Sequence, residues 1–449
     1  MPPFLDREEI APRQQNPKGY AQWLFTQVML RVNVPRSMRD SFVLEGSELR
    51  VGEDRFDLRL FKRIFLVSIG KASVPMAEHA IQTLGDALPL TGVVVGLGTW
   101  AAPPGILSLR GDHPVPGRNS FVAAHELLQL MQTADEDTLV LYLISGGASA
   151  MAEAPLDASI SSEDLSAFYR RLLHSGLAIG KTNVLRKHFS AIKGGRLALA
   201  AGAATRCTVL ISDVPPGRLD IVGSGPSLAD TSTVEEVRRI LAETPLLAPV
   251  PEAMARFLEQ MPETPKTLPE GRLPSTSLSL LSSDSLIEEA IQLVSTAGYR
   301  VIVDNTCDDW DYSDAAKYLV ERAREESVAS IPLCILSAGE VTVSIKGQAG
   351  LGGRNQQWAL RVAQLIDGQS NFVAMSVGSD GIDGNSPAAG AVVDGSTWQR
   401  ALRAGMNPQN ALESFNAYPL FEALGDTVDP GPSGNNIRDL RVIFVNKQP

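Results

Sequence analysis

Four short polar runs could do chemistry in this 449-residue chain, and each follows an apolar run. Gly70-Lys-Ala-Ser73 follows Ile64–Ile69, and Ser145-Gly-Gly-Ala-Ser149 follows Leu139–Ile144. Ser212-Asp-Val-Pro215 follows Cys207–Ile211, and Gly378-Ser-Asp-Gly-Ile-Asp-Gly384 follows Phe372–Val377. A lysine at a strand–helix turn, here Lys71, stands beside free backbone N–H groups, a setting that favours phosphate. Ser145, Gly146, Gly147 and Ser149 are suited to a nest of amides around a phosphate or carboxylate. Gly350-Leu-Gly-Gly-Arg-Asn355 places Arg354 and Asn355 at a helix start, where the guanidinium fork fits an anion bidentately. Asp213, Asp380 and Asp383 offer hard oxygen ligands for Mg²⁺ or another divalent cation, and one of them could take a hydroxyl proton.

The charge pattern points the same way. No acid lies between Asp164 and Asp213, a stretch that carries Arg170, Arg171, Lys181, Arg186, Lys187, Lys193, Arg196 and Arg206. The chain as a whole has net charge −11, so this basic stretch suggests an anion site. Helical spacing predicts that Arg186, Ser190 and Lys193 share one face, opposite Leu185, Phe189 and Ile192. A solvated helix face is the alternative reading of the same pattern.

Several classes of function are disfavoured. Gly176-Leu-Ala-Ile-Gly-Lys-Thr182 imitates a phosphate-binding P-loop, but Ser175 stands where the first glycine is required, and a helical pattern precedes it. No GxGxxG follows the first apolar run, so a nicotinamide site is unsupported. The five histidines (His79, His113, His125, His174, His188) form no metal-spaced pair, and Ser149 lacks the GxSxG setting of a hydrolase nucleophile. Cys207, Cys307 and Cys334 are too scattered for a disulfide framework or a CxxC site. The acidic balance disfavours nucleic acid as a partner, and no apolar run suits a membrane span. The opening residues 1–9 read as neither a signal nor a transit peptide, so a cytoplasmic location is expected.

These side chains need a scaffold. Short apolar runs alternating with helical patterns predict a parallel α/β sheet, whose ligand crevice lies beyond the carboxyl ends of its strands. One such sheet would bring all four polar runs to one edge. Seven prolines fall between Thr244 and Thr276, which predicts a semi-rigid linker with at most one helix, Glu252–Met261, inside it. The expected organisation is an N-terminal Rossmann-like domain over 1–244, a linker over 245–276 and a second α/β domain over 277–449. Cations, amides, an arginine fork and carboxylates around one crevice are the parts of phosphoryl transfer to a small acid.

The ordered motifs resemble the glycerate 2-kinases of the MOFRL type, some of which have been labelled hydroxypyruvate reductases. The resemblance is carried by Gly70–Ser73, His113-Pro-Val-Pro116, Ser145–Ala150, Arg186-Lys-His-Phe-Ser-Ala-Ile-Lys-Gly-Gly-Arg196, Ser212–Pro215 and Gly223-Ser-Gly-Pro-Ser227. It continues through Ala338-Gly-Glu-Val-Thr342, Gly352–Gln356, Gly378–Gly384 and Gly431-Pro-Ser-Gly-Asn-Asn436. It implies two α/β domains, the first a Rossmann-like doubly wound parallel sheet and the second a MOFRL domain, with the active site between them. It implies Mg²⁺- and ATP-dependent phosphorylation of D-glycerate at the 2-hydroxyl. The family's proposed catalytic lysine corresponds to Lys71 and its motif arginine to Arg354. Asp380 joins these two as a catalytic candidate. Ser145, Gly146, Gly147, Ser149, Arg186, Ser190, Lys193 and Asn355 are the expected substrate and nucleotide contacts, and Asp213 and Asp383 the expected metal ligands. The chain departs from the family pattern at Gly117, at Pro216-Gly-Arg-Leu219 with Asp220 displaced, at Ser337-Ala338 and at Lys181. A reductase and a non-catalytic acid-binding protein are the rival readings. A homodimer is compatible with all three, and the sequence does not decide it.

Overall fold

The computed structural model describes residues 16–447 except 216, 346–348, 432 and 435. The opening residues and Pro216 therefore lie outside the described residues. The chain divides into two units, one of residues 34–280 and one of residues 1–33 with 281–449.

The first unit is built on six strands: β4 (Arg63–Ile69), β5 (Leu90–Gly96), β6 (Ile106–Arg110), β7 (Thr138–Ile144), β8 (Thr205–Ile211) and β9 (Thr276–Leu281). Their spatial order is β6-β5-β4-β7-β8-β9. Counted within the sheet this is 3-2-1-4-5-6, the doubly wound order, whose switch point lies between β4 and β7. The pairings β4–β5, β5–β6, β4–β7 and β7–β8 are all parallel. β7 and β8 are buried at every residue, as strands covered on both faces must be. A small antiparallel sheet, β1 (Phe42–Glu45), β2 (Glu48–Val51) and β3 (Asp54–Asp57), precedes them.

The second unit departs from the expected parallel sheet. Its strands are β10 (Arg300–Val303), β11 (Leu333–Gly339), β12 (Phe372–Gly378), β13 (Gly390–Asp394), β14 (Thr427–Val428) and β15 (Asp439–Val445). Their order is β10-β11-β15-β12-β13-β14. β10 and β11 are parallel, but β15 runs antiparallel between β11 and β12, and β13 is antiparallel to β12. β15 carries the apolar run Val442–Val445 and is buried at every residue, so a central place is the one that satisfies it.

The expected boundaries also need correction. Residues 245–276 are not a linker. The helix Glu252–Glu259 buries Met254 and Phe257 in one cluster with Phe168, Tyr169 and Phe189, and Leu247 and Met261 join it. The prolines punctuate a packed segment, and Leu278–Leu281 completes the first sheet instead of starting the second. Conversely, the helix Pro17–Arg31 belongs to the second unit. Its apolar face buries Tyr20, Leu24, Phe25 and Val28, and Tyr20 stacks on Tyr299 with ring centroids 6.0 Å apart. All three cysteines are free and buried. Among the described residues no helix is long and apolar enough to cross a membrane.

If the proline-rich segment is core, Phe257→Ala should destabilise the first unit by about 3–5 kcal/mol, the usual loss for a buried aromatic. Urea unfolding with a unit-specific probe measures this, and an unchanged midpoint would restore the linker reading.

Candidate functional site

Three of the four polar runs meet at the carboxyl edge of the first sheet, because β4, β7 and β8 are adjacent and parallel. Gly70 turns the chain at φ +128°, a conformation that L side chains rarely adopt. The Lys71 N–H then donates to the Gly146 carbonyl at 2.9 Å. The Ala72 N–H donates to Ser145 Oγ at 3.0 Å. The β4 and β7 loops are thus tied together, and Ser145 is spent on that tie. Among the described residues the N–H groups of Gly146 and Gly147 form no hydrogen bond within the chain. A Cβ added at Gly146 would lie 2.7 Å from Asp213 Oδ2, so glycine there lets the β8 loop approach. Ser149 Oγ lies 2.8 Å from Ser224 Oγ, and Ser224 in turn donates to Asn183 Oδ1 at 2.7 Å. Lys71 itself is exposed and forms no ion pair among the described residues.

The basic stretch resolves differently from the expectation. Its helix, Ile179–Phe189, ends before Ser190, so Arg186, Ser190 and Lys193 do not share a helical face. Ser190 Oγ instead accepts from the N–H groups of Ile192 and Lys193, holding the turn that follows. Acids from outside the stretch pair with three of its cations. Lys193 pairs with the fully buried Glu153, and Lys187 pairs with Asp230 at 2.7 Å and Asp220 at 3.1 Å. Lys181 reaches Glu243 at 3.4 Å. Asp220, displaced in sequence, is therefore used on Lys187 and on Arg218. Arg171, Arg196 and Arg206 donate to backbone carbonyls instead, and the Arg186 guanidinium has neither kind of partner among the described residues. Arg186 is 8% exposed, and its Nε has no partner. Its guanidinium carbon lies 5.7 Å from the Tyr169 ring centroid, and no carboxylate pairs with it among the described residues. Burial lowers its pKa from the ordinary arginine range, with only partial relief from Tyr169 and Glu153.

The remaining predicted residues lie in the second unit, and most of them bond to other groups of the chain. Arg354 is not a free clamp. Its Nε and Nη2 donate to Asp439 at 2.6 and 3.0 Å, and its Nη1 donates to Glu340 at 2.9 Å. Burial opposes its charge, but these carboxylates outweigh burial and hold the pKa above the ordinary range. Asp383 is not placed as a metal ligand. It accepts from the N–H groups of Asn355 at 3.0 Å and Gln356 at 2.8 Å, so it caps the helix Arg354–Leu365. Asn355 is buried, and its side chain bonds Asp383 and Ser376, so it is not presented to a ligand. Asp380 is partly exposed, with Oδ1 accepting from the Ile382 N–H at 3.1 Å. Asp213 and Asp383 belong to different units. Among the described residues no three or more His, Cys, Asp or Glu side chains converge as a metal site.

Sequence reasoning missed Glu153, although an acid inside the apolar run Ala148–Leu156 is itself a signal of a buried partner. It also assigned no role to His113. That residue lies in the loop after β6 and approaches Gly147, as Lys71 does.

Residues 20–259 match the family described as a domain of unknown function, DUF4147, and residues 333–439 match the MOFRL family. A D-glycerate 2-kinase of Thermotoga maritima is 32% identical over 85% of this chain and 91% of its own length. The chain belongs to the glycerate 2-kinase family. A crystal structure of glycerate kinase from Thermotoga maritima superposes with TM-score 0.80 at 30% identity, covering 96% of this chain and all of that one. An Agrobacterium vitis relative, 34% identical over 85% of this chain and 87% of its own length, carries the name putative hydroxypyruvate reductase. The DUF4147 match contains the whole strand-end cluster of the first unit. The MOFRL match contains Arg354, Asp383 and Asp439.

The burial of Asp383 makes a pH prediction. Burial pushes its pKa up to about 7, against the opposing effect of the two N–H donors. The folded state therefore keeps a proton that the unfolded chain loses near pH 4. The stability this confers is complete below about pH 4 and is lost as pH rises through about 7. Asp383→Asn cannot ionise, so its melting temperature relative to the native chain should rise between pH 5 and pH 8. A constant difference across that range would mean that Asp383 is ionised throughout.

Proposed function

We propose that this chain transfers the γ-phosphoryl group of ATP to the 2-hydroxyl of D-glycerate, giving 2-phosphoglycerate and ADP. One observation carries the reading. At the strand-end cluster of the first unit, the exposed Lys71 and the buried Arg186 each lack a carboxylate partner among the described residues. Both would be compensated by anionic substrates. Lys71 supplies a fixed positive charge where the phosphoryl group is transferred, and Arg186 holds the glycerate carboxylate or a phosphate oxygen. The N–H groups of Gly146 and Gly147 add neutral donors, with Ser149 beside them. This division of labour suits phosphoryl transfer, in which catalysis is mostly positioning and charge neutralisation.

The carboxylate suited to a divalent ion here is Asp213, beside Gly146. A magnesium ion needs only one or two protein carboxylates when nucleotide phosphates complete its shell, so a single aspartate fits an ion that arrives with ATP. Bound there, the ion would neutralise phosphate charge. Arg354 is assigned a supporting role, fixing Glu340 and Asp439.

The test is an enolase-coupled assay without phosphoglycerate mutase, which responds to 2-phosphoglycerate alone, run beside NADH absorbance with hydroxypyruvate. Signal in the first and silence in the second is expected. The reverse result would hand the chain to the reductase reading. Lys71→Ala should lower kcat by about 10²-fold or more, the usual loss for one preorganised contact to developing charge. Circular dichroism should show intact folding, and near-normal turnover would remove Lys71 from the site.

A further inference from the structure

We propose that His113 accepts the proton of the acceptor hydroxyl as the phosphoryl group is transferred. The inference rests on the phosphoryl-transfer reading above. A Cβ added at Gly147 would meet His113 Cδ2 at 3.3 Å and Lys71 Cγ at 3.4 Å. The imidazole and the lysine stem therefore flank the same glycine, at φ +87°, together with Met151, whose Cε is the nearest atom at 3.0 Å. His113 is exposed, and among the described residues neither ring nitrogen has a hydrogen-bond partner. Three of the other four histidines are committed elsewhere. His79 lies 3.3 Å from Thr83, His125 lies 2.8 Å from Gln129, and His188 lies 2.9 Å from the Val184 carbonyl.

The charged groups that act on His113 are Lys71, from the loop after β4, and Arg186, from the helix Ile179–Phe189. Partial burial of the ring and these two cations hold its pKa below the ordinary histidine value. The ring is thus neutral near pH 7 and keeps one nitrogen as an acceptor. In the step, the hydroxyl oxygen bonds to the γ-phosphorus and its proton passes to the free imidazole nitrogen. The bond from phosphorus to the bridging oxygen breaks, and ADP leaves with that electron pair. The imidazolium, next to two cations, then returns its proton to water.

The experiment uses the full chain and the variants His113→Gln and His113→Asn. First, native activity with ATP and D-glycerate is established; its absence sinks the parent reading and this one with it. With the native chain active, both variants should lose about 10²-fold in kcat, the typical share of a positioned acid–base group, with KM little changed. The acid limb of the native kcat/KM profile should vanish in the variants. As a readout independent of turnover, the His113 Cε1–H NMR resonance should titrate below pH 6.5 and move upward in Arg186→Gln. An active native chain whose variants keep kcat, or keep the acid limb, would overturn the assignment. So would a His113 resonance that titrates at pH 7 or above.

Discussion

The charge balance beneath the β7 and β8 loops is the constraint on which the first unit's site depends. A cation buried without a partner is expensive, and breaking one buried pair typically costs about 3–5 kcal/mol. The chain meets that cost for Lys193 with Glu153, and for Lys187 with Asp230 and Asp220. These pairs allow a basic stretch to lie inside the fold. They leave the exposed Lys71 and the buried Arg186 without a carboxylate partner among the described residues. On the function proposed above, an anionic ligand completes the arrangement.

The second unit uses its charges for the opposite purpose. Arg354 joins the start of its helix to β15 through Asp439 and to the end of β11 through Glu340. Arg438 is held by Asp308, and Arg441, fully buried, donates to the carbonyls of Ala338 and Gly339. Asp383 caps the same helix that Arg354 begins. Residues that look like a ligand clamp in sequence therefore fasten β15 into the middle of a mixed sheet.

Much of this was legible in the residues. The apolar runs before Gly70, Ser145, Ser212 and Gly378 are strands, and three of the polar loops share one sheet edge because β4, β7 and β8 are neighbours. The helix inside the proline-rich stretch was also readable. Its burial was not, because prolines report local backbone geometry and say nothing of what packs on Phe257. The antiparallel β15 was hidden for a similar reason: a continuous apolar run is equally at home in either direction. The pairing of Lys193 with Glu153 joins residues 40 positions apart, and no spacing rule reaches that far. Arg354 shows the limit most clearly. Its residue type was read correctly as a bidentate partner for carboxylate, but the carboxylates belong to the chain itself.

The most direct measurement is the affinity of the native chain for 2-phosphoglycerate by calorimetry, compared with Lys71→Met and Arg186→Met. Each variant should bind at least about tenfold more weakly, as loss of one charge-assisted contact worth about 1.5–3 kcal/mol requires. Native affinity should also fall steeply with salt. Native-like binding by both variants would contradict the claim that these two uncompensated cations form the anion site.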